Sequence, residues 1–503
     1  MITTLEMKIL ETNSAALGVS TTLLMEAAGS RVADFVDSKL KGRIGSSIVV
    51  MVGKGGNGGD GLVAARYLSS KGYPVEVLLA FPPSEIEHPD TLLNFKIIKK
   101  IESVKIRGFE ELKVLEDGDV IIDAILGTGV KGVLRDPVKT IIEKANNANA
   151  SLKVAVDTPS GLDPDTGEVH GVAFKANFTI TFHDLKPGLT RNPNYTGEVI
   201  IADIGIPREA KEYVGPGDVL YRIPKRPREA HKGSSGRVVI IAGSSKYVGA
   251  AYLTARASLE AGVDLSFLIV PREIRNIVAS FSPDIITLSY DGEFLTPSSL
   301  PTIVKYVEEL KPHSIAIGPG LGSRDETLEA LQALIPKLIE LKIPLVVDAD
   351  ALKVIKLGIT DFNGNAVLTP HRGEFRALSG IPVGDDVISD SKAVKDVAEK
   401  LNAIVLLKAP VDIISDGKTV RFNKTGNPYM AVGGTGDVLT GLVAGLIPQV
   451  KNLFHSACIG AYLNGLAGDY LLRNNKSVTA SNILKTIPLV KNKPLEIHKQ
   501  VYG

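Results

Sequence analysis

Short runs of β-branched and apolar residues alternate with helix-like stretches along most of the chain, and this alternation restricts the fold more than any other feature. Such alternation is typical of α/β proteins, in which helices cover a mostly parallel sheet. In the first half, the predicted strands are residues 47–52, 75–80, 120–124, 153–156, 178–182 and 199–202. In the second half, they are residues 238–242, 267–270, 315–317, 345–347, 366–368 and 404–407, and then 412–415 and 419–422, whose spacing indicates an antiparallel hairpin.

The segment between the two series, residues 207–236, has a different composition. It contains four prolines and a basic run at residues 225–228, a pattern that predicts a linker or a wrapped strap. The two halves do not share an order of motifs, so no internal repeat is expected. A length of 503 residues allows about two to four domains. We predict two, at residues 1–215 and 225–503.

Composition excludes several classes of protein. With 57 Lys and Arg against 56 Asp and Glu, the chain lacks the basic excess of a nucleic-acid binder. A single cysteine, Cys458, cannot form an intramolecular disulfide, and its apolar surroundings predict a buried core residue. This cysteine usage predicts a reducing compartment, the cytoplasm. No apolar run approaches the roughly 20 residues that span a bilayer, so no membrane segment is expected.

Glycines are concentrated at residues 53–61, between a predicted strand and a predicted helix. Gly53, Gly55 and Gly58 satisfy the G-x-G-x-x-G pattern in this strand–turn–helix context. Glycines allow close approach of the backbone to a phosphate, and a helix N-terminus supplies N–H donors. The next strand does not end in the acidic residue that grips a ribose, so the usual binding of a dinucleotide cofactor is not expected. A tight turn without a ligand is the alternative interpretation.

Three further strand ends carry polar groups. Asp123 precedes a second glycine-rich loop, Asp157 precedes Ser160, and Lys186 follows the next strand. Ligands of open α/β sheets bind at the carboxyl ends of the strands. Carboxylate, hydroxyl and amide oxygens at this edge could hold a hard cation. For each aspartate taken alone, capping of a turn or helix is the alternative.

These motifs, together with residues 24–26 and 195–198, resemble the NAD(P)H-hydrate epimerase family over about residues 1–210. The resemblance implies a Rossmann-like parallel-sheet domain that interconverts the R and S hydrates of NADH and NADPH at C6. It also implies a potassium ion near Asn57, Asp123 and Ser160. The residues implied to contact the hydrate are Gly56, Asn57, Gly58, Gly59, Asp60, Gly127, Thr128, Gly129, Val130, Lys131, Gly132, Val133 and Asp157. Because epimerisation at carbon requires a proton or hydroxyl shuttle, Asp157 and Lys186 are the candidate catalytic pair.

The second half has its own glycine cluster at residues 433–436, followed by Asp437 and an apolar helical pattern. Glycines at a helix start make an anion site from backbone N–H groups. Asp437 could accept the proton of a hydroxyl that attacks phosphorus, which suits phosphoryl transfer. The chain has no P-loop motif and no kinase-type His-Arg-Asp loop. A glycine-rich turn with Asp437 as a helix cap is the alternative.

This turn resembles that of the ribokinase-like fold, and residues 231–233, 243–251, 318–322, 348–352, 369–375 and 407–410 resemble the ADP- or ATP-dependent NAD(P)H-hydrate dehydratases. The resemblance covers about residues 225–490 and implies that the C6 hydroxyl is phosphorylated and then eliminated, with Mg²⁺ accompanying the nucleotide. Asp437 would be the base on that hydroxyl. The other residues implied to contact the hydrate are Ala250, Gly320, Gly322 and His371. Those implied at the nucleotide are Lys408, Ala409, Pro410, Val411, Asp412 and Gly436.

The resulting prediction is a bifunctional metabolite-repair enzyme, an isomerase fused to a lyase. Its expected partners are NADHX or NADPHX and ADP or ATP, with no nucleic acid and no membrane. The resemblance also implies a homo-oligomer, for which residues 443–447 or the N-terminal helix could supply an interface. Two alternatives stay open: a ribokinase-like small-molecule kinase, and an N-terminal domain that binds nucleotides or supports assembly without catalysis.

Overall fold

A computed structural model describes residues 1–109, 120–129, 132–384 and 386–503. The chain forms two compact units, Met1–Pro207 and Arg208–Gly503. The predicted domain bounds of 1–215 and 225–503 stay a prediction. None of the helices in the described ranges combines the length and the apolarity that crossing a bilayer requires.

The first unit is built on a seven-stranded parallel sheet of order β3-β2-β1-β4-β5-β6-β7. Its helices and strands are α1 (Thr4–Ala16), α2 (Thr21–Leu40), β1 (Ile48–Val52), α3 (Gly56–Ser70), β2 (Val75–Leu79), α4 (Pro89–Ile98), β3 (Val104–Gly108), β4 (Val120–Ala124), α5 (Val138–Asn147), β5 (Leu152–Val156), β6 (Phe178–Phe182), α6 (Pro193–Thr196) and β7 (Glu198–Ala202). The strand order reverses between β1 and β4, which creates the crevice where ligands of such sheets bind.

The packing of α3 fixes this crevice. Its Gly61 lies so close to β4 that an added Cβ would be 2.5 Å from the Cβ of Ala124. On the outer side, Glu26 of α2 accepts hydrogen bonds from Arg66 at 2.6 Å and from the Tyr67 hydroxyl at 2.8 Å. Helix α3 is therefore held between the sheet and α2, and it begins at Gly56, shortly after the carboxyl end of β1 at Val52.

The second unit contains a nine-stranded sheet of order β10-β9-β8-β11-β12-β13-β14-β15-β16, parallel except for the β14–β15–β16 meander. Its elements are α7 (Arg208–Glu212), α8 (Pro216–Arg222), β8 (Arg237–Ile241), α9 (Val248–Ala261), β9 (Leu265–Pro271), α10 (Arg272–Ala279), β10 (Ile286–Tyr290), α11 (Leu300–Leu310), β11 (Ser314–Ile317), α12 (Asp325–Glu340), β12 (Leu345–Val347), β13 (Ala366–Leu368), α13 (Arg372–Ser379), α14 (Val387–Leu401), β14 (Ile404–Leu407), β15 (Asp412–Ser415), β16 (Val420–Asn423), α15 (Thr435–Val450), α16 (Leu453–Arg473), α17 (Ala480–Asn492) and α18 (Pro494–Tyr502).

Helix α15 lies at the centre of one of the two cores of this unit. Its Gly441 approaches α9 so closely that an added Cβ would be 2.1 Å from the carbonyl oxygen of Thr254. Val443, Leu446 and Ile447 are buried in the same core. The suggestion that residues 443–447 form an interface between copies is wrong, because these side chains already pack inside the unit. Cys458 is buried, as predicted.

The proline-rich segment carries α7 and α8 and is bonded to the second unit. The Val214 amide donates to the Phe422 carbonyl at 2.8 Å. The buried Asp218 accepts from the Arg421 guanidinium at 2.5 and 3.0 Å, and this cation holds the pKa of Asp218 below its ordinary value despite the burial. Of the two sequence interpretations, the strap is therefore the one that the structure adopts.

Candidate active sites

The first glycine loop lies at the switch point of the parallel sheet. Gly53 follows β1, Gly55 caps α3, and an added Cβ on Gly58 would be 2.0 Å from the Gly53 carbonyl oxygen. Only glycine at position 58 allows the chain to turn this sharply into the helix. The first N–H groups of α3 have no partner within the helix, so this end of α3 is suited to an anionic ligand.

Asn57, Asp123 and Ser160 meet beside this loop. The Asp123 carboxylate accepts from the Ser160 amide and hydroxyl, both at 2.7 Å, and burial raises its pKa to about 6. Asn57 donates through Nδ2 to the Leu126 carbonyl at 3.0 Å, while its buried Oδ1 has no hydrogen-bond partner. An orphaned buried oxygen costs free energy unless something binds it, so these three residues fit a cation that prefers oxygen ligands.

Asp157 and Lys186 form an ion pair at the ends of β5 and β6. The fully buried Lys186 donates through Nζ to Asp157 Oδ1 at 2.5 Å, and also to Thr181 Oγ1 and the Phe182 carbonyl, both at 2.9 Å. Asp157 has a left-handed backbone, with φ of 60°, which turns its carboxylate back toward the end of β6. The candidate catalytic pair is therefore a hydrogen-bonded pair in the structure.

Two further carboxyl groups belong to the same electrostatic cluster. Burial raises the pKa of Asp60 well above its ordinary value, and the charges of Asp157 and Glu11 raise it further. Burial and the Asp157 charge raise the pKa of Glu11 to about 7. Among the described residues, neither carboxyl has a hydrogen-bond partner. Sequence reasoning missed Glu11, because it lies on α1, far along the chain from every motif.

The second glycine-rich loop is more open. Gly127 lies against Asn57, where an added Cβ would be 3.2 Å from the Asn57 Cβ. Thr128 is half-buried, and the other described residues of the predicted substrate loop are exposed, namely Gly129, Gly132 and Val133. Val130 and Lys131 were also predicted to contact the hydrate, and they lie outside the described residues.

Asp437 lies in the first turn of α15. Gly434 caps this helix with a left-handed φ of 94°, a conformation that L side chains avoid. Burial raises the pKa of Asp437 to about 6, and the nearby charge of Asp348 raises it as well. A half-buried carboxyl with such a pKa can accept a proton near neutral pH.

Lys408, at the end of β14, is the cation beside this carboxyl. Its Nζ donates to Asp348 Oδ1 at 2.8 Å, and the Thr440 hydroxyl donates to Asp348 Oδ2 at 2.7 Å. Burial works against the charge of Lys408, but Asp348 and neighbouring acids raise its pKa, so the lysine stays charged. The structure thereby adds Asp348 and Thr440 to the site as the groups that orient Lys408.

Two cavities meet at the start of α15. The larger, of about 780 Å³, is lined by most of the predicted nucleotide residues, which are Lys408, Ala409, Pro410, Asp412 and Gly436. The smaller, of about 550 Å³, is lined by Ala250, Gly320, Gly322 and Asp437, all predicted to contact the hydrate. Consecutive residues of one helix turn, Gly436 and Asp437, therefore line different cavities.

Two predicted residues are placed differently. His371 was grouped with the hydrate contacts, but it lines the larger cavity beside Lys408, and its Nδ1 accepts from the Glu374 amide at 3.1 Å as a cap of α13. Val411 lines neither cavity. Sequence reasoning also missed the cations of the smaller cavity, which are Lys246, Arg324 and Lys353.

Comparisons with known proteins agree with this architecture. A family profile described as "NAD(P)H-hydrate dehydratase" matches residues 238–489, and one described as "YjeF-related protein N-terminus" matches residues 21–188. A solved ribokinase-like superfamily protein from Enterococcus faecalis is 26% identical, with a TM-score of 0.50, and the alignment covers 56% of this chain and 95% of that protein. The predicted fold class, a Rossmann-like parallel-sheet domain followed by a ribokinase-like domain, is confirmed.

Full-length relatives are similar across both units. The protein named "Bifunctional NAD(P)H-hydrate repair enzyme Nnr" from Hyperthermus butylicus is 43% identical over 99% of this chain and 94% of its own length. The protein of the same name from Pyrobaculum aerophilum is 41% identical over 97% of both chains. With similarity of this extent over both units, the chain belongs to the family of bifunctional NAD(P)H-hydrate repair enzymes.

Proposed function

We propose that this protein repairs hydrated NADH and NADPH in two steps. The first unit interconverts the R and S hydrates at C6, and the second dehydrates the S-hydrate at the expense of ADP or ATP. The observation that carries the proposal is the position of Asp437, a base with a raised pKa that lines one cavity while the adjacent Gly436 lines another. This arrangement suits transfer of a phosphoryl group from a nucleotide to a hydroxyl.

In the first unit, the glycine loop and the N-terminus of α3 bind the anionic hydrate. The C6 carbon carries the hydroxyl next to the ring nitrogen, whose lone pair stabilises the cation left when the C–O bond breaks. The Asp157–Lys186 pair gives a proton to the departing oxygen and takes one back from the water that returns to the carbon; because the two groups are 2.5 Å apart, they act as one proton-exchanging unit. Asp60 and Glu11, whose pKa values burial raises, are further carboxyl groups beside this pair.

Potassium is the cation that we propose for the first unit. Asn57, Asp123 and Ser160 would hold it, and the unpartnered Asn57 Oδ1 is the feature that supports this assignment. Among the described residues, no group of three or more His, Cys, Asp or Glu side chains is arranged to hold a metal ion. A potassium site built from one amide, one carboxylate and one hydroxyl does not need such a group. The ion would supply positive charge next to the phosphates of the hydrate.

In the second unit, Asp437 accepts the proton of the C6 hydroxyl as its oxygen attacks the terminal phosphorus of the nucleotide. The bond from that phosphorus to the nucleotide breaks, which leaves AMP from ADP or ADP from ATP. The phosphate ester then leaves C6 as inorganic phosphate while C5 loses a proton, and this restores the dihydronicotinamide ring. Lys408 and the glycine turn at residues 433–436 bind the anionic groups, and Mg²⁺ would be held chiefly by nucleotide oxygens.

One assay tests the whole proposal. Given a mixture of R and S hydrates, nucleotide, potassium and magnesium, the protein is expected to restore the near-ultraviolet absorbance of the dihydronicotinamide completely. Recovery of only the S share, about half of an even mixture, would mean that the first unit is not catalytic. A small-molecule kinase would instead leave a phosphorylated product and restore no absorbance, which would contradict the proposal.

The pH dependence of the second step follows from Asp437. Because burial raises the pKa of its carboxyl to about 6, the base is ionised above that pH and protonated below it. With pure S-hydrate and saturating nucleotide, kcat/KM for the hydrate is expected to be level at neutral pH and to fall about tenfold per pH unit below 6. Saturating nucleotide limits the contribution of Asp412, whose pKa burial also raises to about 6. A profile level down to pH 5 would contradict the assigned base.

Self-association and a cytoplasmic location complete the proposal. The support for the homo-oligomer is the family resemblance, and light scattering of the purified protein would test it.

The single buried Cys458 is compatible with a reducing compartment. The near-zero net charge suits a protein whose anionic ligands are bound by local glycine turns rather than by a basic surface.

A further inference from the structure

One wall of the larger cavity, residues 425–430, is packed directly on α16. An added Cβ on Gly465 would be 2.4 Å from the Thr425 carbonyl oxygen, and one on Gly468 would be 2.3 Å from Met430 Sδ. These two glycines, on one face of α16, allow this wall to lie on the helix backbone. Helix α16 therefore shapes the wall from behind. Of its residues, Ala461, Asn464 and Gly465 line the cavity.

Asp469, one residue beyond Gly468, fixes the wall by hydrogen bonds. This side chain is 8% exposed. Its Oδ2 accepts from the Gly426 amide at 2.7 Å, and its Oδ1 accepts from Asn427 Nδ2 at 2.8 Å. The Tyr502 hydroxyl on α18 also donates to Oδ2. Three donors from two distant segments of the chain thus converge on one carboxylate.

The opposite end of the wall is fixed independently. The Thr425 hydroxyl donates to Asn423 Oδ1 at 2.8 Å, and Asn423 Nδ2 donates to Asp412 Oδ2 at 2.9 Å. Asp412 in turn accepts from the Ala409 amide at 3.0 Å, which ties the wall to the loop after Lys408. Asp469 therefore controls the part of the wall at Gly426 and Asn427, because the other end has its own support.

Helix α18 is itself docked beside Asp469. The Tyr462 hydroxyl and His498 Nδ1 are 2.9 Å apart, and the two rings are stacked. Burial lowers the pKa of His498 to about 4, so the ring is neutral at physiological pH. Tyr502 lies one helical turn after His498, and their ring centroids are 4.7 Å apart. This packing holds the Tyr502 hydroxyl in position to donate to Asp469.

We infer that Asp469 and Tyr502 are positioning residues for the nucleotide of the dehydratase step. Neither lines the cavity, but together they hold Gly426 and Asn427, which do. Preorganising this wall lowers the cost of ordering it when a nucleotide binds. Asp437 and three of the residues predicted to contact the hydrate line the other cavity, so the effect is expected in nucleotide affinity and not in the chemical step. The inference rests on the proposed function for the binding of ADP or ATP in the larger cavity and of the hydrate in the smaller one.

The test uses the full chain with Tyr502→Phe and Asp469→Asn. Loss of the tyrosine hydroxyl removes one hydrogen bond to a carboxylate, and KM for the nucleotide is expected to rise about three- to tenfold. Asp469→Asn presents an N–H₂ group to one of the donors, and a larger rise, about tenfold or more, is expected. In both variants kcat and KM for the S-hydrate stay within about twofold of the unsubstituted protein. The matched control is Tyr470→Phe, a tyrosine on α16 whose hydroxyl has no hydrogen bond within the described residues.

Calorimetric titration with Mg-ATP and with Mg-ADP, without hydrate, separates this inference from the proposed function. If the chain does not dehydrate the hydrate but the two variants still bind nucleotide more weakly than the control, the positioning role stands and the proposed function fails. Unchanged nucleotide Kd and KM in Tyr502→Phe would overturn the inference, and so would a fall in kcat at unchanged KM. Should Asp469→Asn fail to fold, Tyr502→Phe alone decides.

Discussion

Replacing Asp437 with asparagine is expected to remove the nucleotide-dependent step while leaving the fold intact. The substitution keeps the shape of the side chain but removes the base, and positioned bases contribute about 10²- to 10⁴-fold to rate. We therefore expect kcat for S-hydrate dehydration to fall at least about a hundredfold, with little change in nucleotide KM. The measurement is recovery of dihydronicotinamide absorbance from pure S-hydrate with ADP or ATP.

The stability of this variant has an expected sign as well. The folded protein raises the pKa of Asp437 to about 6, above that of an unfolded aspartate, so the ionised carboxyl destabilises the fold at neutral pH. An asparagine removes this cost, and thermal unfolding at pH 7 is expected at the same temperature as in the unsubstituted protein or higher. Asp291→Asn is a suitable control, because its exposed ion pair with Arg272 contributes little. Wild-type turnover in the Asp437 variant would show that this residue is not the base.

Replacing Asp157 with asparagine is expected to remove epimerisation and to spare dehydration. Asparagine tolerates the left-handed backbone that Asp157 adopts, so the turn itself is preserved. Its amide no longer balances the charge of the buried Lys186, which keeps its bonds to Thr181 and to the Phe182 carbonyl. The expected loss in R-to-S conversion is about a hundredfold or more, because the pair can no longer shuttle protons.

The bifunctional chain provides an internal control for this experiment. With a mixed hydrate, the Asp157 variant is expected to restore absorbance quickly from the S share and then to continue only at the slow spontaneous rate. Addition of unsubstituted protein at that stage should complete the recovery. Asp34→Asn, at an exposed aspartate of the same unit, should behave like the unsubstituted chain. Complete recovery by the Asp157 variant at the normal rate would exclude this residue from the epimerase mechanism.

The pattern of apolar residues predicted most strands of both sheets, but it missed the outermost strand at one edge of each sheet. Every predicted strand is present, with ends shifted by at most two residues. The two strands that were missed, Val104–Gly108 and Ile286–Tyr290, are each the outermost strand of their sheet at one edge. Their sequences mix apolar and polar residues and their side chains are only partly buried. An edge strand that faces solvent does not need the continuous apolar run by which buried parallel strands are recognised.

Motifs predicted the residues at the strand ends, because chemistry and backbone constraints coincide there. Asp157, which directly follows β5 and is bonded to Lys186, is an example, and the glycine turn before Asp437 fixes the start of α15 in the same way. Residues that reach the candidate sites from helices outside the motifs were not predictable. Glu11 is close to the Asp157–Lys186 pair only because α1 packs at that edge, and Asp469 meets Gly426 and Tyr502 only through the packing of α16 and α18. Such proximity depends on tertiary structure, and no local pattern encodes it.

The position of helix α15 has a consequence for the rate of the proposed phosphoryl transfer. Gly436 and Asp437 are neighbours in one helical turn and line different cavities. The nucleotide that gives the phosphoryl group and the C6 hydroxyl that accepts it would therefore lie on either side of a single peptide unit. Their alignment would then depend on the stiffness of the buried helix that continues to Val450 and not on closure of a loop. Phosphoryl transfer is sensitive to small misalignments, so a displacement of this helix in the core would appear as slower chemistry rather than as weaker binding.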